Sequence, residues 1–209
     1  LIRFVTSHPK DFSEKRIYAM AENDKVCRYL HLPLQSGSDK ILNLMNRGYT
    51  FGDYKEKIEK ARRVMPDIKL SSDFIIGFPE ETEDDFNMTA DAVKEIGYDR
   101  IFAFNYSPRP NTSAFNMDDN VPAPIKSARL NKLFEIQDYL YDKRLAEAVG
   151  SVSRVLISDI DMKGEYRYGG LNEYNRKVAF SSENKLECGN IVNVIIRSAK
   201  RNCMYGEEL

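Results

Sequence analysis

The chain has 209 residues, of which 42% are hydrophobic and 30% are charged, a composition typical of a folded protein with a packed core. Lys and Arg number 31 against 32 Asp and Glu, so the net charge is -1 and no overall positive field attracts nucleic acid. Any nucleic-acid contact must therefore come from a local basic surface. No apolar run approaches the roughly 18 residues that a membrane span needs, so we expect no membrane partner.

Residues that commonly bind metals or act as bases are few. The three cysteines, Cys27, Cys188 and Cys203, are widely spaced, which argues against a disulfide framework and against a metal site. This pattern favours buried thiols in a reducing compartment, and we expect a cytoplasmic protein. The two histidines, His8 and His31, are expected to be satisfied core residues, because a histidine on a strand of an α/β core more often packs than reacts.

Strands alternate with helices in the first 149 residues. Strands are predicted over residues 1–5, 28–34, 69–76 and 100–106. Residues typical of helix ends lie between them, namely Ser38 and Gly48, Thr50 and Asp53, Thr82 and Asp85, and Gly97. A long amphipathic helix is predicted after Pro124. The alternation predicts parallel βα units whose chemistry lies at the carboxyl ends of the strands, in an open sheet or in part of a barrel. Because residues 1–5 already form a strand, we expect the chain to be a piece of a longer protein.

The pattern changes after Gly150. Short β-rich runs cover residues 152–157, 177–180 and 191–196. Glycines are predicted to form the turns between these runs, at Gly164, Gly169, Gly170 and Gly189. The pattern favours a small antiparallel barrel of the OB type, a common nucleic-acid platform, and it fits another small accessory β domain equally well. We therefore predict two domains, residues 1–149 and residues 150–209.

The segments that follow the four predicted strands carry a family resemblance. In chain order they are TSHP (residues 6–9), HLPLQSGS (31–38), SSDFIIGFP (71–79) and YSPRP (106–110). This series resembles the second half of the methylthiotransferase family of radical S-adenosylmethionine (SAM) enzymes, and within that family the MiaB subfamily. The resemblance implies an α/β fold, the C-terminal half of a radical-SAM partial (β/α)6 barrel, to which residues 1–149 contribute the last four βα units. Residues 150–209 would then be the small antiparallel OB-like β-barrel known as a TRAM domain.

The resemblance also implies a reaction and its partners. An intact protein of this kind binds S-adenosyl-L-methionine and two [4Fe–4S] clusters, and takes electrons from a reductant such as a flavodoxin or ferredoxin. It adds a methylthio group to C2 of N6-isopentenyladenosine in the anticodon stem-loop of tRNA. The family's Cys-x3-Cys-x2-Cys motif is absent here, so we expect the chain alone to hold no cluster and to be inactive. The alternatives are a sister methylthiotransferase for threonylcarbamoyladenosine in tRNA and a non-catalytic RNA-binding module.

Residues on either side of the first predicted helix are expected to bind the cofactor. Gln35 and Ser36 lie at the exit of a strand, where they are expected to hydrogen-bond the ribose or the amino-acid part of SAM. Both also fit a turn that caps the next helix. The guanidinium of Arg47 is expected to bind the SAM carboxylate, since arginine pairs with carboxylates through two hydrogen bonds. The alternative for Arg47 is a last-turn arginine that faces the helix dipole.

The third predicted strand partly matches the radical-SAM motif that backs the adenine ring. Ile75 offers an apolar surface for stacking, and Gly77 allows the backbone to come close to the ring. Asp73, which stands where many of these enzymes have glycine, is assigned to the ribose, with a helix cap or a salt bridge as the alternative. Glu80 replaces a usual glycine of the family, so a positive φ there would strain or reshape the loop.

Basic and aromatic residues are expected to contact tRNA. Arg109 lies between two prolines, on a stiff loop that can present its charge to a phosphate or stack on a base, although it also fits an exposed connector. Tyr174, Arg176 and Lys177 precede a predicted strand and are assigned to RNA phosphates. Tyrosines interleaved with basic residues, among them Tyr168, suit unpaired RNA and equally fit a solvated hairpin.

Overall fold

The structure is a computed structural model that describes residues 1–3, 7–162 and 164–209. The described chain forms two compact units. The first comprises Leu1–Arg3, Asp24–Tyr29 and Tyr141–Leu209, and the second comprises residues 7–23 and 30–140. The strand predicted at residues 1–5 lies partly outside the described residues, and Ile2 forms an isolated bridge to Val26.

A small sheet flanked by helices follows the predicted α/β pattern. Its strands β1 (Tyr29–His31), β2 (Lys69–Ile76) and β3 (Arg100–Asn105) lie in the order β1-β2-β3, and β2 and β3 are parallel. The helices are α1 (Glu14–Ala21), α2 (Asp39–Leu44), α3 (Phe51–Val64), α4 (Glu83–Ile96) and α5 (Ala123–Ala148). Helix α1 was not predicted. None of the helices in the described ranges is long and apolar enough to cross a membrane.

The helix ends predicted at Ser38, Thr50, Thr82 and Gly97 are confirmed by their caps. The prediction that Gly48 ends α2 is wrong, because α2 ends at Leu44. Thr50 and Asp53 form a reciprocal capping box at the start of α3, and Thr82 and Asp85 form another at the start of α4. Each box satisfies two backbone N–H groups that have no partner inside the helix. Gly97 ends α4 in the left-handed conformation, with φ 62°, which glycine adopts without steric cost.

The Asp85 carboxylate also joins the beginnings of α2 and α4. Its oxygens accept hydrogen bonds from Ser38 Oγ at 2.6 Å, from Lys40 Nζ at 2.8 Å and from Thr82 Oγ1 at 2.6 Å. Partial burial opposes ionisation, but the hydrogen bonds from Lys40, Ser38 and Thr82 outweigh it and hold the pKa of Asp85 below its usual value. The charged form of Asp85 therefore stabilises the fold.

The two faces of the sheet differ, because side chains alternate along a strand. Phe74 and Ile76 of β2 are fully buried on one face. The other face, here called the open face, carries Asp73 and Ile75 of β2 together with Phe102 of β3. It also carries Phe104, whose side chain is 60% exposed. Polar and aromatic groups are thus available to a ligand on this face.

The last third of the chain is a closed five-stranded barrel, which confirms a small β-barrel. Its strands are β4 (Val152–Asp159), β5 (Tyr168–Asn172), β6 (Lys177–Ser181), β7 (Ile191–Lys200) and β8 (Cys203–Glu208), in the order β4-β5-β6-β8-β7. The pairings are antiparallel except between β6 and β8, which are parallel. The core contains Val155, Ile157, Tyr168, Val178, Phe180, Val194, Ile196 and Met204.

Strands β5 and β8 were not predicted, and for β5 the reason is that Gly169 and Gly170 suggested a turn. The prediction that Gly169 and Gly170 form a turn is wrong, since both lie within β5. A Cβ atom on Gly170 would lie 2.0 Å from the carbonyl oxygen of Leu156, and one on Gly206 of β8 would lie 2.1 Å from that of Ile195. Neighbouring strands approach too closely at these points for any side chain, which is a recognised reason for glycine inside a strand.

Candidate functional site

A cleft of about 300 Å³ opens at the carboxyl ends of β2 and β3. Three of the residues predicted to bind cofactor or substrate line it: Arg47, Ile75 and Arg109. The other lining residues are Met45, Phe78, Phe104, Asn105, Tyr106, Ser107, Thr112, Ser113 and Ala114. The structure therefore brings together the ends of two strands, the segment after α2 and the loop after β3.

One side of the cleft is apolar and aromatic. Phe78 and Tyr106 pack edge to face, with ring centroids 5.0 Å apart. Phe104 lies opposite Ile75 in the parallel register, and its exposed ring faces the same cleft. An exposed aromatic ring beside an aliphatic wall is suited to a planar heterocycle, because π-systems stack favourably in offset arrangements.

The cleft also carries two arginines without acidic partners. Arg47 Nε is buried and forms no hydrogen bond, and within the described chain neither Arg47 nor Arg109 forms an ion pair. Helix α2 ends at Leu44, so Arg47 lies beyond its last turn rather than within it. An orphaned buried guanidinium nitrogen at a cleft wall fits an anionic ligand group that would complete its hydrogen bonding.

Gln35 and Ser36 differ in their placement. Gln35 is 8% exposed and has a φ of 76°, a left-handed conformation that is unusual for a residue with a side chain. Its backbone bonds to Asp73 and Ile75 of β2, at 2.9 Å and 3.0 Å. Ser36 is fully buried, and its Oγ lies 3.2 Å from Thr89 Oγ1. Ser36 thus occupies the turn, which is the alternative role that the sequence left open, and neither Ser36 nor Gln35 lines the cleft.

The loop after β2 is held by a buried ion pair. Glu81 Oε2 accepts hydrogen bonds from the Gly77 N–H at 2.8 Å and from Arg129 Nη1 at 2.9 Å. Burial raises the pKa of Glu81 even though these partners oppose the shift. Gly77 has a φ of 70°, and a Cβ atom there would lie 2.3 Å from Lys126 Cγ. A side chain at position 77 would therefore meet Lys126, and the expectation that Gly77 lets the backbone approach a ligand ring stays a prediction.

Glu80 has a positive φ of 67°, the conformation that we expected to strain or reshape this loop. Its backbone N–H donates to Asn120 Oδ1 at 2.9 Å, and its Oε1 accepts from Asn120 Nδ2 at 2.6 Å. The Glu80 carbonyl also accepts from Lys40 Nζ at 2.7 Å. These bonds offset the strain of the left-handed conformation.

Asp73 lies on the open face, beside the cleft rather than in its lining. Its Oδ2 is 3.3 Å from His31 Nε2, and its side chain is 32% exposed. The prediction did not foresee His31 as its partner. The signal was present in the sequence, since His31 and Asp73 lie on neighbouring predicted strands, but the relative register of those strands was unknown.

In the barrel, Tyr174, Arg176 and Lys177 lie at the turn between β5 and β6. The turn is organised by Asn172, which is fully buried and whose Oδ1 accepts from the backbone N–H groups of Tyr174 at 3.1 Å and Arg176 at 2.9 Å. The Arg176 guanidinium lies 4.9 Å from the ring centroid of Tyr141, so it is already engaged. Lys177 is exposed. Sequence reasoning did not single out Asn172.

Tyr168 does not belong to an RNA-binding surface. Its side chain is 1% exposed and stacks on Phe180 in the barrel core, with ring centroids 5.6 Å apart. Its hydroxyl donates to the carbonyl of Asn184 at 3.0 Å. The assignment of Tyr168 to unpaired RNA is therefore wrong, because its ring is buried in the barrel core and cannot contact RNA.

No three His, Cys, Asp or Glu side chains of the described residues are grouped closely enough to hold a metal ion. Cys27 is buried, and burial raises the pKa of its thiol. A cluster ligand must be a thiolate, so this environment is the reverse of what iron–sulfur ligation needs. The residues present do not fit a [4Fe–4S] cluster.

The sequence matches known proteins. Residues 2–93 match the model of the Radical SAM superfamily. The chain is 41% identical over 206 residues to tRNA-2-methylthio-N(6)-dimethylallyladenosine synthase of Thermodesulfovibrio yellowstonii, covering 99% of this chain and 47% of that protein. It is 44% identical over 209 residues to the protein of the same name from Legionella pneumophila strain Corby, covering 100% of this chain and 46% of that protein. The chain thus spans about half the length of these relatives.

A solved structure shares the fold. Coproporphyrinogen III oxidase (HemN) from Escherichia coli, a radical SAM enzyme, superposes with a TM-score of 0.51 at 23% identity. The match covers 64% of this chain and 30% of that one. At this identity the likeness concerns the fold alone, and it agrees with the parallel α/β arrangement of β2 and β3.

Proposed function

We propose that this chain, which belongs to the radical SAM methylthiotransferase family, is part of an enzyme that adds a methylthio group to C2 of N6-isopentenyladenosine in tRNA. Residues 1–149 would be the C-terminal part of a partial (β/α)6 barrel, and residues 150–209 a TRAM-like barrel. The intact protein would act in the cytoplasm, with two [4Fe–4S] clusters and a flavodoxin or ferredoxin as reductant. The observation that carries the proposal is the cleft lined by the exposed ring of Phe104 and by Arg47 and Arg109, which form no ion pair within the described residues.

The cleft supplies complementary partners for S-adenosylmethionine. The adenine would stack on Phe104 and Ile75, where an aromatic and an aliphatic side chain face each other across two strands. The carboxylate would bind Arg47, whose buried Nε has no other partner, and Arg109 would add a second positive charge. Gln35 does not line the cleft, and its predicted contact with the cofactor stays a prediction. When bound in the intact enzyme, this cofactor supplies the radical and methyl chemistry of the family.

The side chains of this chain do not fit an iron–sulfur cluster. What these residues contribute is orientation. The left-handed Gln35 and the loop fixed by Glu81 and Arg129 set the positions of the strand ends, and thereby of the cleft wall. Rigid positioning of this kind lowers the entropic cost of bringing reactants together.

The barrel would bind the anticodon stem-loop. Tyr174 and Lys177 lie together at the β5–β6 turn, and an exposed lysine beside a half-buried tyrosine suits phosphate contact with stacking. Arg176 would contribute less than the sequence suggested, because its guanidinium is held over Tyr141. Titration of anticodon stem-loop RNA at two ionic strengths tests this role. Binding that weakens at the higher salt is expected, and an absence of binding at low salt would contradict it.

Nucleoside analysis tests the reaction. In cells that lack the gene of the intact protein, tRNA hydrolysates should lose 2-methylthio-N6-isopentenyladenosine and accumulate N6-isopentenyladenosine, as measured by mass spectrometry. A gene encoding Arg47→Ala should restore the methylthio nucleoside poorly. Lys94→Ala, which removes an exposed lysine paired with Asp91, is the matched control and should restore it fully. An unchanged nucleoside profile in the deletion strain would refute the proposal.

A further inference from the structure

Residues 7–10 follow the first predicted strand and include most of the TSHP segment, to which no role has been assigned. The Ser7 N–H donates to the carbonyl oxygen of His31 at 3.3 Å, and His31 is the last residue of β1. A parallel bridge between Gln35 and Phe74 shows that the chain after β1 runs in the direction of β2. The segment therefore begins at the carboxyl edge of the sheet, which is the edge where the cleft opens.

Contacts with the turn after α2 place this segment close to the cleft. The stem of Lys10 lies over the backbone of Gly48, because a Cβ atom built there would lie 3.8 Å from Lys10 Cδ and 4.0 Å from Lys10 Nζ. The His8 ring packs edge-on against Tyr49, with ring centroids 5.6 Å apart. Arg47, which lines the cleft, directly precedes Gly48. His8 and Lys10 are thus neighbours of the cleft wall, although neither lines the cleft.

His8 offers a hydrogen-bond donor whose position is fixed. Its Nδ1 accepts from the Lys10 backbone N–H at 3.2 Å, so the proton of the neutral ring is on Nε2. The ring packs on Tyr49, which is 9% exposed and whose hydroxyl donates to the carbonyl oxygen of Leu34 at 3.0 Å. The Nε2–H makes no hydrogen bond within the residues that the structure describes. It is therefore available to an acceptor from another molecule.

The charge around this donor is positive. Lys10 is exposed, and in the described part of the chain it forms no ion pair. Lys57 Nζ donates to the carbonyl oxygen of Pro9 at 2.6 Å, which brings a second positive charge to the segment. Of the nearby carboxylates, Asp53 caps α3, and Asp11 forms no ion pair with either lysine among the described residues. Ammonium groups beside a free N–H donor are the groups by which proteins hold phosphate oxygens.

We propose that Lys10 and His8 bind a backbone phosphate of the substrate tRNA, one of the two that flank the target adenosine. An enzyme that acts on a base takes that nucleotide out of its stack, and the flanking phosphates then lie at the rim of the pocket that receives the base. Lys10 supplies the charge, and the His8 Nε2–H supplies the direction. The inference rests on the proposed function in that it takes tRNA as the substrate, and it adds an RNA contact outside the barrel.

Titration of the chain with anticodon stem-loop RNA that carries N6-isopentenyladenosine tests this contact. Two further RNAs carry an uncharged methylphosphonate in place of the phosphate on the 5′ side or on the 3′ side of that nucleoside. Lys10→Met should weaken binding of the unmodified RNA about fivefold at low salt, and should reduce the slope of log affinity against log salt by about 0.7–1. One methylphosphonate RNA should lose the same affinity with the wild type and little more with Lys10→Met.

His8→Asn separates the donor from the structure of the segment. Asparagine keeps an acceptor for the Lys10 N–H, since it caps well, but it has no donor at the Nε2 position. It should weaken binding of the unmodified RNA about two- to fivefold. Lys94→Met, which removes an exposed lysine paired with Asp91, is the matched control and should leave the affinity and the salt slope unchanged. All three variants should bind S-adenosylhomocysteine as the wild type does, because none of these side chains lines the cleft.

The outcomes separate this contact from the function on which it rests. If Lys10→Met binds the RNA with the affinity and salt slope of the wild type, the inference is wrong while the RNA site of the barrel stands. The same holds if Lys10→Met and each methylphosphonate weaken binding independently. If Lys10→Met weakens binding of S-adenosylhomocysteine and not of RNA, the segment serves the cofactor and the inference is wrong. If the wild type binds no stem-loop RNA at low salt, the proposed RNA role is refuted and the inference with it.

Discussion

Replacing Glu80 tests whether the loop after β2 balances backbone strain against side-chain bonding. Glu80 has a φ of 67°, and the left-handed conformation costs a residue with a Cβ atom about 1–2 kcal/mol. Glycine removes this cost but loses about 0.4–1 kcal/mol through the greater freedom of the unfolded chain. The net backbone gain of Glu80→Gly is therefore about 0–1.6 kcal/mol, with a midpoint of about 0.8 kcal/mol.

Loss of the Glu80 side chain lowers the stability that relief of the backbone would add. Asn120 Nδ2 donates to Glu80 Oε1 at 2.6 Å, an exposed hydrogen bond worth about 1 kcal/mol. Both Glu80→Gly and Glu80→Ala lose this bond, whereas only Glu80→Gly relieves the backbone. We expect Glu80→Gly to be close to the wild type in free energy of unfolding, and Glu80→Ala to be less stable by about 1 kcal/mol.

Urea unfolding followed by circular dichroism, with an unchanged m-value, measures these differences. Glu80→Ala is the matched control, because it differs from Glu80→Gly only in the Cβ atom. For a chain of this size a difference of 1 kcal/mol corresponds to about 2–4 °C in Tm. A Glu80→Gly protein that is no more stable than Glu80→Ala would refute the argument that φ strain is present at this position.

Three further predictions follow from buried polar groups. Arg129→Met leaves the Glu81 carboxylate buried without its cation. We therefore expect the free energy of unfolding, measured in urea at pH 8, to fall by about 3–5 kcal/mol. At pH 5 the fall should be smaller, because protonation of Glu81 removes the unpaired charge. Asp85 has a lowered pKa in the folded state, so its contribution is complete above the unfolded value near 4 and is lost as the pH falls. Asp85→Asn should therefore flatten the acid limb of the stability–pH curve, and an unchanged limb would contradict the assignment. Asn172→Ala removes the acceptor of two backbone N–H groups at the β5–β6 turn. It should therefore lower the Tm of the barrel and weaken RNA binding. The affinity for S-adenosylhomocysteine should not change.

The elements that depend on local interactions were predictable from the sequence. The capping boxes at Thr50 and Thr82 and the left-handed Gly97 involve residues a few positions apart, so sequence spacing is sufficient to identify them. The segments after the strands likewise indicated where a cleft would form, because the carboxyl ends of parallel strands share one edge of a sheet. Arg47, Ile75 and Arg109 do meet there.

Only the tertiary structure decided the roles that depend on which backbones lie side by side. Gly170 was predicted to form a turn and Gly206 was given no role, but both lie inside strands, where carbonyl groups of adjacent strands leave no room for a Cβ atom. Gly77 faces Lys126, which is 49 positions away in the chain, and His31 meets Asp73 through the register of two strands. Composition and periodicity contain no information on register or on close approach across a sheet. The physical reason is that these distances are set by packing between segments far apart in sequence, whereas helix caps are set within a single turn.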